Sequence, residues 1–569
     1  MTKRPILKKS SLTLVGPFAL AIAANASPQT TTKLVPLPDS VLPVLSQSFP
    51  LLTKAPVASS NLIEVSISLK PRDEYGLQAY ADAVSDPKSA IYRHFISPQE
   101  VGIRYGASAK DILAVKQFLT GGGLTITHVG ANNITIAATG TQTQVEALFN
   151  TTISNFQVTE DTGTISYRAN VTPLNVPSTL VSKIQSVDGV ESYTRPQMRG
   201  TTLAPSMTRT LYGLASMFSA GWTGSGRTVG ISSWDGFSLN NGNLFISRYG
   251  LPTPSGGAMS NVSVVHVGTG SQNNTAQGEG DLDFQMILAA APLANIVIYD
   301  GTGGNLTTVL STEASSNTAD IITESYGWSI SASTAATAHT QHLSMTASGI
   351  TYMAASGDAG TTLGPYDYPD YDPEVLSVGG TIATTDASGN RTSETTWGKS
   401  GTNGGGGGWC TSSGANGSSF NVHPSWQVGT GVPSSSTVNK RLVPDVALHA
   451  SGANGFNSPY AYYAYSSNTL YTFSGTSAAS PTFAAGLAAC EQRLYAARGT
   501  ARLGRIQDFI YAQNGRSDVW YDITTGASIG KLPSSGGGSL NRKTANPTAG
   551  WDFCTGWGAV NFNAFYGTL

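Results

Sequence analysis

Ser477 stands in the run Ser474-Gly475-Thr476-Ser477-Ala478-Ala479-Ser480-Pro481, where a glycine-containing turn enters an expected helix. A serine held there exposes its hydroxyl and has backbone N–H groups aimed at developing negative charge, so its chemistry would be nucleophilic. Such a serine needs a base. None of the seven histidines (His94, His128, His266, His339, His342, His423, His449) stands in a His-Gly-x-x-Val-Ala-Gly context. The carboxylates offer more. In Gly278-Glu279-Gly280-Asp281-Leu282-Asp283-Phe284-Gln285, Glu279 and Asp283 are four apart and stack on one helix face, whereas Asp281 is turned about 200° from Glu279. Two stacked carboxyls can share a proton, and one can orient the other; without the serine they would read as acids complementing a helix dipole. A third run, Ala355-Ser356-Gly357-Asp358-Ala359-Gly360, puts Asp358 in a glycine turn after a buried-type strand. A carboxyl kept neutral can donate a hydrogen bond, and an ionised one only accepts.

With Tyr368-Pro369-Asp370 and Val378-Gly379-Gly380-Thr381 downstream, these runs resemble the sedolisin family of serine-carboxyl peptidases, the kumamolisin type. The resemblance extends from Ser85-Asp86-Pro87-Lys88-Ser89-Ala90-Ile91-Tyr92, similar to the family's activation-domain signature, to Gly556-Trp557-Gly558. It implies Ser477 as nucleophile, Glu279 as general base and later acid, Asp283 as the group orienting Glu279, and Asp358 as a protonated oxyanion donor. It further implies one structural Ca²⁺, held by Asp522 and Asp552 with the carbonyls of Ile523, Thr548 and Gly550 and a water, a set suited to a hard cation. Family members usually have glycine where Thr548 stands. Where some relatives carry an extra Glu and a Trp in the carboxylate network, this chain has Ser233 and Tyr326. Asp235 reads as a turn residue. The implied product is a secreted, acid-active endopeptidase made as a self-processing zymogen, acting as a monomer on proteins and peptides and inhibited by its own propeptide. A non-catalytic binding protein of the same fold, or a Ser-His-Asp enzyme using His266, are the alternatives.

The elements that must position these residues divide the chain in two. From residue 61 to 190, strands at 63–69, 124–128, 134–138 and 164–168 and helices at 77–84, 111–119 and 145–149 predict a small α+β, ferredoxin-like domain with helices on one face of an antiparallel sheet. From 227 onward, apolar runs at 229–232, 296–299, 321–326, 350–354 and 376–378 alternate with helical stretches at 279–290, 335–347 and 481–494. That alternation predicts an α/β, subtilisin-like fold with a parallel sheet and helices on both faces. Pro481 fits the first turn of its helix, and the glycine run 404–408 reads as a flexible linker or as backbone that must approach a ligand closely. The expected division is signal 1–26, propeptide 27–190, processing linker 191–207 and peptidase 208–569.

The signal rests on Lys3, Arg4, Lys8 and Lys9 before an apolar stretch and Ala24-Asn25-Ala26, and implies export to the extracellular space or periplasm. With 12% charged residues, a net charge of −2 and 40% apolar residues, the chain offers no basic field for nucleic acid, is not disordered, and has no membrane-length apolar run beyond the N-terminus. Three cysteines, Cys410, Cys490 and Cys554, allow at most one intrachain disulfide. From residue 201 there are 15 Lys and Arg against 21 Asp and Glu, so acid leaves few positive charges to repel one another. Carboxylates at the propeptide interface are expected to lose ion pairs on protonation, weakening inhibition in acid.

Overall fold

The computed structural model describes residues 33–38, 40–41, 62–160, 163–191, 203–271, 278–328, 330–363, 368–398, 404–409, 419–451, 462–529, 541–542 and 544–569. The expected signal, residues 192–202 of the expected linker, and Cys410 lie outside them. Residues 205–207, placed in the linker by the sequence, already belong to a helix, α4 (Pro205–Leu211). Cys490 and Cys554 are free and buried.

In the N-terminal domain, β1 (Leu62–Leu69), β2 (Thr125–Val129), β3 (Thr135–Thr141) and β4 (Ile184–Asp188) form an antiparallel sheet in the order β2-β3-β1-β4. This is the expected ferredoxin-like arrangement. Its helices begin where capping residues stand: Asp73 accepts from Gly76 ahead of α1 (Glu74–Ser85), Ser108 from Asp111 ahead of α2 (Ala109–Gly121), and Thr141 with Gln144 forms a capping box on α3 (Gln142–Phe149). Val115, Leu119, Val145 and Phe149 pack on Val65, Ile67 and Ile136 in a separate apolar core. The strand expected at 164–168 is Gly163–Asn170; it pairs with Ile153–Glu160 in a hairpin outside that sheet.

The C-terminal domain is built on β5 (Thr228–Ser233), β6 (Val262–His266), β7 (Asn295–Asp300), β8 (Ile321–Glu324), β9 (Thr351–Ala355) and β10 (Val375–Thr385), in the order β6-β7-β5-β8-β9-β10 and all parallel. β11 (Arg391–Thr396) joins β10 antiparallel; β12 (Gly404–Trp409) lies outside this sheet, and β13 (Val446–His449) joins β10 in parallel. One core forms where α5 (Glu279–Ala290) and α8 (Thr476–Arg498) pack on one face, with Phe284, Ile287, Phe483 and Leu487 against Val229, Ile231 and Met353. A second forms under α6 (Leu306–Ser316) and α7 (Ala332–Ala347), with Leu310, Ala335 and Ala338 near Tyr299, Ile322 and Tyr352.

The glycine run is not a flexible linker. It is β12, a buried strand whose glycines admit neighbouring backbone: a Cβ on Gly406 would lie 1.8 Å from the Ser356 carbonyl oxygen, and one on Gly407 1.8 Å from that of Phe553. Helix α8 starts at Thr476, so Pro481 sits inside it rather than in its first turn.

The exposed-looking face of the N-terminal sheet is covered by α6 and α7. Most of that seam is neutral and polar: Ser186 meets Thr337 at 3.0 Å, Asn132 donates to Gln341 at 2.5 Å, Gln341 to Thr135 at 2.9 Å, and Ser66 bonds Thr308. Asp188 accepts from Thr307 (2.8 Å) and Thr334 (2.6 Å). Apolar contact comes from Leu77 and Ala81 of α1 against Leu343 and Ala347. Among the described residues, the ion pair crossing the seam is Arg505–Asp82 at 2.9 Å.

Candidate active site

Helix α8 presents Ser477 as its second residue, at the end where unpaired N–H groups and the helix dipole favour negative charge. Its N-cap, Gly475, has φ 130°, and a Cβ there would lie 2.7 Å from Asp358 Oδ2; the turn requires glycine on both counts. Pro481 has no N–H to give the Ser477 carbonyl, its i−4 partner. The Ser325 hydroxyl lies 3.3 Å from the Ser477 carbonyl and 2.7 Å from Asp283 Oδ1. Having one proton, it donates along the shorter contact to Asp283.

Every residue of α5 is buried. Glu279 and Asp283 share the face turned to Ser477, whose hydroxyl favours the charged form of Glu279. Neither Glu279 oxygen has a well-aligned protein partner, nor has Asp283 Oδ2, as is common before substrate tightens a catalytic contact. Burial first, and the Asp283 charge second, push the Glu279 carboxyl well above its ordinary range. Burial does the same to Asp283, with the charges of Asp235 and Glu324 adding. Two buried carboxyls so placed hold one proton between them, and Glu279, facing the serine, is positioned to take a second. Asp281 points elsewhere, accepting from the Ser238 N–H (2.8 Å) and Asn241 Nδ2 (2.9 Å).

Asp358 follows β9, locked by β12: Gly404 N–H donates to its carbonyl at 3.0 Å and Gly406 N–H to that of Gly357 at 2.8 Å. Its Oδ1 accepts both the N–H (2.8 Å) and the hydroxyl (2.9 Å) of Thr476, which leaves Oδ2 to carry a proton. Burial pushes its pKa up to about 6, against the lowering effect of those two bonds.

Two acids near this group are not assigned to it by the sequence: Asp235, which reads as a turn residue near where a subtilisin-like aspartate would sit, and Glu324. Asp235 does shape a turn, accepting from Gly236 at 2.8 Å, but its other oxygen accepts the Glu279 backbone N–H at 3.2 Å. Glu324, at the end of β8, is buried and accepts from Trp328 Nε1 (2.6 Å) and the Tyr352 hydroxyl (2.5 Å); burial pushes it up to about 7. In the sequence it stands between Thr323 and Ser325, within the run 321–326 that reads as a strand; the strand ends at Glu324. Tyr326 is buried, and its hydroxyl accepts the Asp235 N–H at 3.1 Å, beside Ser233. His266 pairs with Asp300 at 2.7 Å, half-exposed at the sheet edge. Among the described residues no histidine bonds Ser477.

Near the C-terminus, Asp522 accepts the Gly550 N–H at 2.8 Å, and Asp552 accepts those of Thr548 (2.9 Å) and Cys554 (2.8 Å). The expected metal ligands therefore share one loop cluster. Among the described residues no hydrogen bond is made to the carbonyls of Ile523, Thr548 or Gly550, which leaves these three oxygens open to a hard cation, whereas both Asp552 oxygens already accept backbone N–H groups.

Residues 264–558, more than half the chain, match the family described as the Subtilase family. The chain belongs to the subtilase family. Residues 52–193 match the Pro-kumamolisin activation domain. Along 89% of its length the chain is 29% identical to sedolisin of Pseudomonas sp. (strain 101), covering 86% of that protein, and 27% identical to kumamolisin of Bacillus sp. (strain MN-32), covering 91%. A solved structure of Pseudomonas sedolisin, a serine-carboxyl proteinase complexed with two molecules of pseudo-iodotyrostatin, is similar with a TM-score of 0.50 and 25% identity, over 65% of this chain and 98% of that one. This subtilase is thus a peptidase of the sedolisin and kumamolisin type, with an activation domain ahead of its subtilisin-like fold.

Proposed function

We propose that this chain is a secreted, acid-active serine-carboxyl endopeptidase made as a zymogen that processes itself. One observation carries the reading: Ser477 faces a buried Glu279–Asp283 pair beside a third buried carboxyl, Asp358, and no described histidine reaches the serine. As Ser477 Oγ attacks a peptide carbonyl, its proton passes to Glu279, held in place by Asp283. The oxyanion receives a hydrogen bond from protonated Asp358 Oδ2 and from N–H groups at the start of α8. Glu279 then protonates the leaving amine, and an acyl-serine remains for water to hydrolyse by the same steps.

The substrates are proteins and peptides, with the activation domain as intramolecular inhibitor; the enzyme acts as a monomer, without nucleic acid or membrane. Secretion is supported by the signal-like residues 1–26. One Ca²⁺ bound by Asp522, Asp552 and the carbonyls of Ile523, Thr548 and Gly550 would tie two loops together.

Denatured protein incubated at acid pH should be cleaved by wild type and not by Ser477→Ala, with both chains folded alike by circular dichroism. Equal traces would return the chain to the class of non-catalytic binding proteins. Mass spectrometry of the two precursors should show cleavage between about residues 191 and 207 in wild type alone.

A further inference from the structure

The first turn of α5 has no cap of its own. Its N-cap residue, Gly278, brings no side chain, and the helix opens directly on Glu279. The missing acceptor arrives from another element. Asp235, just beyond β5, takes the Glu279 backbone N–H on Oδ2 at 3.2 Å, while its Oδ1 takes the Gly236 N–H at 2.8 Å. The Tyr326 hydroxyl, beyond β8, holds the Asp235 N–H at 3.1 Å, and the Tyr326 ring stands edge-on to Trp234 at 5.2 Å. The loop is wedged against α5: a Cβ on Gly280 would lie 2.9 Å from the carbonyl oxygens of both Asp235 and Gly236.

We propose that Asp235 is a positioning residue for the peptidase reaction, capping α5 at Glu279 and placing its carboxyl beside the Glu279–Asp283 pair. The inference rests on the serine-carboxyl reading. The groups facing Asp235 are Glu279, Asp281 and Asp283 from α5 and Tyr326 from the loop after β8; burial raises the pKa of each, and the Asp235 charge adds to the rise. Burial raises Asp235 too, against the two backbone N–H bonds that favour its ionised form, but Glu279 and Asp283 are raised well above their ordinary range. Asp235 thus gives up its proton ahead of the pair, and once ionised its charge moves the pair's loss of a proton to higher pH.

The test is the pH profile of kcat/KM, with kcat and KM separated, for wild type, Asp235→Asn, Asp235→Ala and Glu279→Gln. The Asn variant keeps an acceptor for the Glu279 N–H and loses the charge. It should retain kcat within about threefold while its acid limb moves down by about half a unit or more. The Ala variant loses both and should show kcat lowered about tenfold or more with KM little changed. If Glu279→Gln is inactive while the Asn profile superimposes on wild type, or the Ala variant keeps wild-type kcat, the proposal is overturned alone. Activity surviving in Glu279→Gln overturns the serine-carboxyl reading beneath it.

Discussion

Asp358 sets the alkaline boundary of the proposed reaction. Burial lifts its pKa to about 6, so it is a neutral donor below that pH and an ionised acceptor above it. Activity should fall as pH rises through about 6. Asp358→Asn, whose amide donates at every pH, should lack that limb in a kcat/KM profile, whereas Asp358→Ala should lose on the order of 100- to 1,000-fold throughout. A limb unchanged in the Asn variant would assign it to another group. The runs that hold Asp358, Ser477, Glu279 and Asp283 are legible because each is local, a glycine turn or a four-residue helical spacing, while the roles given to these residues come from the family resemblance. Asp235 is not, because its role depends on a contact with Glu279, 44 residues away, that only the β5–α5 packing creates.

Elements with one continuous apolar character were also legible. Helix α5 was placed at its observed bounds because Pro292 follows it and its core is Leu, Phe, Met and Ile. Helix α6 was missed. Its sequence, LTTVLSTEASS, spends Thr307, Thr308 and Ser311 on the seam with the N-terminal domain, so buried hydroxyls dilute the apolar period. β4 was missed likewise, since Ser186 and Asp188 are polar yet buried against α7. At the chain end, the loop cluster of Asp522 and Asp552 carries its own prediction. Chelation, or Asp552→Ala, should lower the thermal unfolding midpoint, because calcium at about 100 times its Kd adds about 2.7 kcal/mol to the folded state. A midpoint indifferent to both would remove the metal from the account.

On the scale of the whole molecule, the seam between the two domains holds one described ion pair of the expected kind, Arg505–Asp82, and two acids on which acid should act the other way. Its partners are mostly hydroxyls and amides, and the acids it buries resist ionisation. Burial raises Asp188 in spite of its three hydroxyl donors, and burial with the Asp188 charge pushes Glu191 up to about 8. For a carboxyl whose pKa is raised on docking, the stabilisation is full at low pH and is lost as pH rises through the docked value. At Asp188 and Glu191 acid is therefore expected to strengthen the seam, against the loss of the single described ion pair, Arg505–Asp82. In the uncleaved Ser477→Ala precursor, Asp188→Asn should raise the thermal midpoint at neutral pH and leave it unchanged in acid. A midpoint lowered at neutral pH would mean that the seam needs the Asp188 charge.

The central claim is that a carboxyl, not an imidazole, takes the proton from Ser477. It is tested most directly by measuring kcat/KM at acid pH for Glu279→Gln and His266→Ala beside wild type. The account predicts a loss of about 100-fold or more for Glu279→Gln, the usual yield of a general base, and wild-type turnover for His266→Ala. Loss confined to the His266 variant, with Glu279→Gln still active, would contradict it.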